Sequence, residues 1–294
     1  MVSKTIDLIH DPIPGQNIIE AIIRKSKDGA MKCDKLYHCA PAMALESIIK
    51  NKEFWLSNLA DVNDNKEAER IDIPEYEKSY YVASFTRNNN VSEDNWCEYG
   101  KGDISVLFSV KKDWFKKSAT FMTLNNQKII GHDRIYSSFG SAHNERIDKF
   151  KKGDQAPLFY DFFAVIYDDE LNTTMQTSGI WNNAHRGYPA NYINSALSGI
   201  IKKTKGECKR SGKEPYEKIW KNEKEVRLKL CIKRMGKDNL FGVYYPKIAV
   251  PLNDLAFMDF DIRFNPKFPA SERTEYINKL YTMLPRGSKI TVLE

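Results

Sequence analysis

Apolar positions recur along the chain with two periods, and the switch between them predicts the elements. Ile18, Ile19, Ile22 and Ile23 follow Pro14 and Gly15 at helical spacing, so a helix here docks one stripe on a larger body. Leu36 to Cys39 reads as a short strand. Pro41, whose missing N–H suits a first helical turn, opens a helix with Met43, Leu45, Ile48 and Ile49 facing inward. Runs rich in β-branched and aromatic residues predict strands at Phe54 to Ser57, Tyr80 to Phe85, Ile104 to Val110, Thr120 to Leu124 and Leu158 to Ile166. The same signal marks Val226 to Ile232 and Val243 to Val250, with a closing element near Ala256 to Phe260. Helices are expected at Asn191 to Lys203, Pro215 to Trp220 and Ser271 to Leu284. Strands do not alternate regularly with helices, which predicts an α+β fold with a mixed, mostly antiparallel sheet and flanking helices.

The expected organisation is a helical preamble over 1–32 and a single α+β domain over 33–294. Within it, 172–192 holds Trp181, His185, Arg186, Gly187 and Pro189 and reads as a long loop of the kind that carries recognition. A chain of 294 residues with 41% hydrophobic content can bury a full core, which excludes disorder of the whole. The net charge of +6, from 45 basic and 39 acidic side chains, permits an anionic partner without requiring one. Five cysteines with no C-x-x-C pair point to a reducing compartment and to no metal site. The opening residues meet acids, a His and prolines before any signal-like apolar run, and no segment approaches the ~20 apolar residues of a membrane span. The expectation is a cytoplasmic protein of bacterial or phage origin with no membrane partner.

Several chemistries are excluded by missing patterns. There is no G-x-G-x-x-G after a strand, no G-x-x-x-x-G-K-S/T, no H-E-x-x-H and no G-x-S-x-G. What the chain does contain is three passages of nucleotide-site chemistry at strand ends. In the first, His38 ends a strand just before a helix; a hydrogen-bonded structural His is the plain alternative. The second places Trp96 and Tyr99 three residues apart behind an Asn-rich loop, either as ring partners for a ligand or as fillers of a core corner. The third alternates Glu223, Glu225, Arg227 and Lys229 with Lys224, Val226, Leu228 and Leu230, giving a strand with one wholly charged face. On a solvated edge strand such a face needs no function, and Lys229 is read that way. A carboxylate and a guanidinium two residues apart also suit a cleft that holds a sugar hydroxyl and an anionic group.

The order L-Y-H, F-W-L-S-N with a downstream N-D at Asn63, V-A-S-F, W-x-x-Y-G and W-x-x-E-x-E-x-R resembles the bacterial family named domain of unknown function 2971. The resemblance runs from Leu36 to the C-terminus and departs at Cys39, where the family favours an aromatic, and at Asn65, where it favours Pro. The layout is in turn similar to the ADP-ribosyltransferase superfamily, in which an early-strand His and a late-strand Glu hold NAD between two halves of a split sheet. That resemblance implies NAD as substrate, with Glu225 as the catalytic carboxylate, Glu223 orienting or deprotonating the acceptor, and His38 on a ribose. It further implies that Ser57 and Asn63 contribute to the cofactor site, that Arg227 pairs with the pyrophosphate and that Trp96 or Tyr99 stacks on a ring.

Breaking the nicotinamide–ribose bond develops oxocarbenium character on the sugar, and a carboxylate at the ribose hydroxyl stabilises it, typically by about 3 kcal/mol. The function expected is therefore that of a toxin or antiphage effector that modifies a protein or nucleic-acid acceptor. Glu225→Gln is expected to silence the chemistry with little change in folding. Two other readings stand beside it. A non-catalytic nucleic-acid or nucleotide-binding module would use the basic stretch 202–213, although its acids dilute it and a solvated helical face is the plain account. A phosphoryl or nucleotidyl chemistry would need Arg87, Arg186 and Arg227 to converge.

Overall fold

The computed structural model describes residues 16–62, 80–116, 119–122, 128–132, 135–136, 158–169, 199–208, 216–232 and 247–294. In chain order, the first half consists of α1 (Gln16–Met31), β1 (Leu36–Pro41), α2 (Ala42–Asn51), β2 (Glu53–Asn58), β3 (Tyr80–Thr86), α3 (Glu93–Tyr99) and β4 (Ser105–Val110). Short strands follow: β5 (Ala119–Met122), β6 (Lys128–His132), β7 (Ile135–Tyr136), β8 (Leu158–Ala164), β9 (Ile166–Tyr167), β10 (Ile201–Lys202), β11 (Gly206–Cys208) and β12 (Tyr216–Lys218). The chain closes with β13 (Glu225–Ile232), β14 (Lys247–Pro251), β15 (Asp259–Phe264), α4 (Ala270–Met283) and β16 (Lys289–Val292). This is an α+β fold with a mixed, mostly antiparallel open sheet. The parallel pairs are β15 with β16, β7 with β8 and β9 with β10.

The main sheet forks at β3. One edge of β3 meets β1 at Tyr37↔Thr86 and β2 at Ser57↔Val82 and Asn58↔Tyr81, so two strands share it end to end. Beyond β1 the sheet continues through β4, β15 and β16; beyond β2 it continues through β14, β5 and β6. The other edge of β3 is covered by β13 from Glu225↔Thr86 to Cys231↔Tyr80, and β13 in turn pairs with β8.

Cross-strand register sorts the side chains onto two faces, because directly paired residues project to the same side. One face collects Leu36, Phe85, Phe108, Val226, Leu228, Leu230 and Ile262 into the main core, where α2 and α4 also bury Leu45, Ile49 and Leu280. The opposite face carries the row Asp261, Ser109, Tyr37, Thr86 and Glu225. Arg227 and Lys229 follow Glu225 on that face at the strand period of two.

Several sequence expectations are corrected here. The described part of the helix expected over 191–203 is a turn followed by β10, because Ile201 and Lys202 pair with Ile166 and Tyr167 and bury both side chains. The helix expected over 215–220 is β12 and a 3-10 turn (Trp220–Glu223), since 216–218 pair with 206–208. Met43 is 75% exposed, because it lies about 200° around the helix from the buried Leu45. The closing strand begins at Asp259, just beyond Phe257, whose φ of 65° interrupts extended backbone. β13 is an interior strand, and Lys229 is fully buried rather than solvated. The loop expected over 172–192 lies outside the described residues. Among those residues no helix is long and apolar enough to cross a membrane.

α1 docks on β8 as a helix–body contact was expected to, though through a smaller-residue face than the isoleucine stripe suggests. Ile22, Ser26 and Ala30 are buried, and the Ser26 hydroxyl donates to the Ala164 carbonyl at 2.6 Å. Lys27 pairs with Asp161 at 2.6 Å. A Cβ added at Gly29 would stand 2.9 Å from the Ala164 Cβ, so the two backbones can approach this closely only without it. Gly29→Ala is therefore expected to destabilise by about 1–3 kcal/mol, the usual cost of overpacking, read as a lower urea midpoint with an unchanged slope.

Candidate functional site

A cavity of about 90 Å³ opens where β1, β3, α3 and the start of β13 meet. Its walls include His38, Cys39, Tyr99, Glu223 and Glu225. Sheet order explains the convergence, because Tyr37, Thr86 and Glu225 sit side by side across three strands. His38 therefore comes within one residue of the same row.

His38 stands at the fork. Its Nδ1 lies 2.9 Å from the Ser84 carbonyl, and since a carbonyl only accepts, Nδ1 carries the proton and Nε2 is left as an acceptor. The ring is packed edge-on to Phe54 and Phe108, with centroids 5.0 and 5.6 Å away. Burial among these rings pulls its pKa below the ordinary 6.5 against the opposing pull of the Ser84 carbonyl, so the imidazole is neutral at pH 7.

Glu225 is 4% exposed and is covered by β9 and β10, which reach it through Tyr167 and Lys202; β12 and the 3-10 turn join that covering layer through Lys218 and Trp220. Arg227 Nε donates to its Oε1 at 2.6 Å, while Arg227 Nη2 and Lys202 Nζ donate to Oε2 at 3.3 and 3.1 Å. Tyr167 accepts from its backbone N–H at 3.3 Å. Burial alone would raise this carboxyl, but Arg227 and then Lys202 outweigh it and hold it well below the usual carboxylate range. Arg227 also donates to the Gly199 carbonyl at 3.1 Å.

Glu223 does not continue the strand. It ends the 3-10 turn, and Lys224, with φ 46°, reverses the chain before β13 begins. Tyr99 donates to Glu223 Oε1 at 2.8 Å, and Lys218 Nζ approaches the same oxygen at 2.6 Å while also pairing with buried Glu98. Trp220 is shared by both lysines: Lys202 Nζ and Lys218 Nζ lie 4.9 and 4.8 Å from its ring centre. Burial first, then Glu223, raises the Tyr99 pKa well above 10; burial raises the Cys39 thiol to about 12. At neutral pH the cavity thus presents a neutral imidazole, a thiol, a phenol and an ionised Glu225.

Comparison with protein-family profiles, characterised proteins and solved structures yields no match.

The structure brings His38, Tyr99, Glu223 and Glu225 to one cavity. It does not bring the other candidates there. Trp96, 4% exposed, packs with Cys39 and Leu107 as a core filler. Ser57 lies on β2 between Val82 and Lys247, away from the cavity lining. Arg227 is buried behind Glu225 rather than on the wall. Asn63 lies outside the described residues. Arg87 is exposed and donates to the Lys224 carbonyl, Arg186 is not described, and Lys202 of the basic stretch is engaged with Glu225. Sequence reasoning missed Lys218, Lys202, Glu98 and Tyr167. Burial of two lysines beside one tryptophan has no period to reveal it.

Chemically, the residues around the cavity bring negative charge and acceptors: two carboxylates and an imidazole whose Nε2 keeps its lone pair. A ligand that fits brings hydroxyl or amide donors and tolerates or carries positive charge. The volume is well below the roughly 300 Å³ of a drug-sized site, so it takes one ring of a larger ligand. Among the described residues no group of three or more His, Cys, Asp and Glu is placed to hold a metal ion.

Proposed function

We propose that this chain is an NAD-dependent protein of the ADP-ribosyltransferase type, akin to the family named domain of unknown function 2971, acting in the cytoplasm as a toxin or antiphage effector. The observation that carries the reading is that His38 and Glu225, remote in sequence, line one cavity at a fork in the sheet. The nicotinamide–ribose end of NAD is a hydroxylated sugar bonded to a pyridinium cation, which matches an acceptor-rich, anionic wall. In the reaction the C1′–N bond breaks and its electron pair leaves with neutral nicotinamide. The sugar carbon then bonds to an acceptor hydroxyl or amine, whose proton passes to a carboxylate or to water. His38 Nε2 accepts a hydrogen bond from a ribose hydroxyl, and the buried anions oppose the charge that develops on the sugar.

The test is incubation of the purified protein with NAD and protein, DNA or RNA acceptors, following nicotinamide release. Release is expected, and His38→Gln, which keeps a donor for Ser84 but withdraws the ring acceptor, should raise KM on the order of tenfold, about one hydrogen bond. No release with any acceptor would end the catalytic reading.

A second reading, a nucleotide-binding module without turnover, is favoured by the size of the cavity and by Arg227 being committed to Glu225 and Gly199. Saturable NAD binding without nicotinamide release would select it.

A further inference from the structure

The two cavity carboxylates are held in different ways, and we propose that Glu223, rather than Glu225, is the one that takes the sugar hydroxyl, with Lys218 as its positioning residue. The identity of the sugar rests on the NAD reading above; the division of labour rests on hydrogen bonds.

Both oxygens of Glu225 are already engaged, Oε1 by Arg227 and Oε2 by Arg227 and Lys202. Both charged partners have side chains no more than 5% exposed, so a ligand hydroxyl reaching Glu225 competes with cations that cannot swing into water. Glu223 differs. Tyr99 and Lys218 both converge on Oε1, at 2.8 and 2.6 Å, and Oε2 has no partner among the described residues. Arg273 Nε is the sole sealed side-chain polar atom without a partner among those residues, so Glu223 Oε2 is not shut away, and Glu223 lines the cavity. A carboxylate oxygen with free lone pairs, fixed through its twin, is a preorganised acceptor.

Lys218 supplies the fixing. Its ammonium bridges Glu223 and Glu98 and lies 4.9 Å from the Tyr99 ring centre and 4.8 Å from that of Trp220. Bonds on two sides and rings beside it leave the ammonium one position, and through it Glu223 one orientation. Glu225, neutralised by Arg227 and Lys202, serves as the anchor that ties β13 to the covering layer.

The test compares Glu223→Gln, Glu225→Gln, Lys218→Met and Lys218→Arg by NAD turnover and by thermal unfolding. An amide oxygen at position 223 can still accept from Tyr99 and Lys218, and Lys218 keeps Glu98. Glu223→Gln should therefore hold Tm within about 2 °C of wild type while kcat falls on the order of a hundredfold. Lys218→Met should lower kcat by a comparable factor through misplacement, with KM changing far less, and Lys218→Arg should restore most of it. A merely structural lysine would lower Tm without this split. Glu225→Gln should lower Tm by about 6–20 °C. The proposal is overturned if Glu223→Gln turns over normally, or if Lys218→Met leaves kcat unchanged. Should the wild type release no nicotinamide, the NAD reading fails by itself. The two glutamine variants still decide the division of labour: unequal losses of Tm support it and equal losses overturn it.

Discussion

Glu225→Gln lowers the unfolding free energy by about 3–5 kcal/mol at pH 7, because it removes the counter-charge from two buried cations. Arg227 and Lys202 both close on this carboxylate, and neither can reach water to recover its hydration. The sequence expectation that a near-isosteric amide spares the fold is therefore corrected. Any loss of turnover in this variant has to be read on the folded fraction. The pH dependence has a definite sign. Burial raises the Glu225 carboxyl, but Arg227 and Lys202 lower it more, so its folded pKa lies below the unfolded value of about 4.3. Its stabilisation is complete above that unfolded value and is lost as the pH falls through the folded one. Urea unfolding at pH 7 and near pH 3 should show the advantage of the wild type over Glu225→Gln shrinking with acid. An advantage that stays constant over that interval would contradict the ion-pair account.

Trp220→Ala is expected to cost about 3–5 kcal/mol, the usual loss for a buried indole. Trp220 is 3% exposed and seats both Lys202 and Lys218. A Cβ on Gly206 would lie 2.9 Å from the indole Nε1, which shows how closely the covering layer is drawn down over the ring. Without the ring, the cations that hold Glu223 and Glu225 lose their shared seat. Trp220→Phe keeps an aromatic face and should recover part of the loss. Guanidinium unfolding of the three proteins orders them wild type, Phe, Ala; an Ala variant within about 1 kcal/mol of wild type would refute the seat.

Much of the main sheet is legible in the sequence because each strand carries its own signal. β1, β2, β3, β4 and β13 lie close to where their β-branched and aromatic runs predict them, since those runs bury one face in a common core. Glu223 and Glu225, close in sequence, both line the cavity, but they reach it by a route the sequence does not suggest. The alternation suggests one continuous strand, whereas Lys224 turns the chain and delivers the two carboxylates from separate elements. The covering layer was not legible. Asn191 to Lys203 and Pro215 to Trp220 read as helix on local propensity, whereas β10 gains its form from pairing with the distant β9 and β12 from pairing with β11. Lys229 shows the same limit, because a buried lysine and a solvated one have identical neighbours in the chain.

The separation of β13 into an oily side and an ionic side affects how such a protein can change over generations. Val226, Leu228 and Leu230 share their space with one set of neighbours, Glu225 and Arg227 with another. The interior can therefore be refilled by compensating hydrocarbon exchanges while the salt layer is preserved, and the salt layer can be retuned without reopening the interior. Where the sheet parts beside His38, side chains from the two sides meet at one wall, and that independence ends.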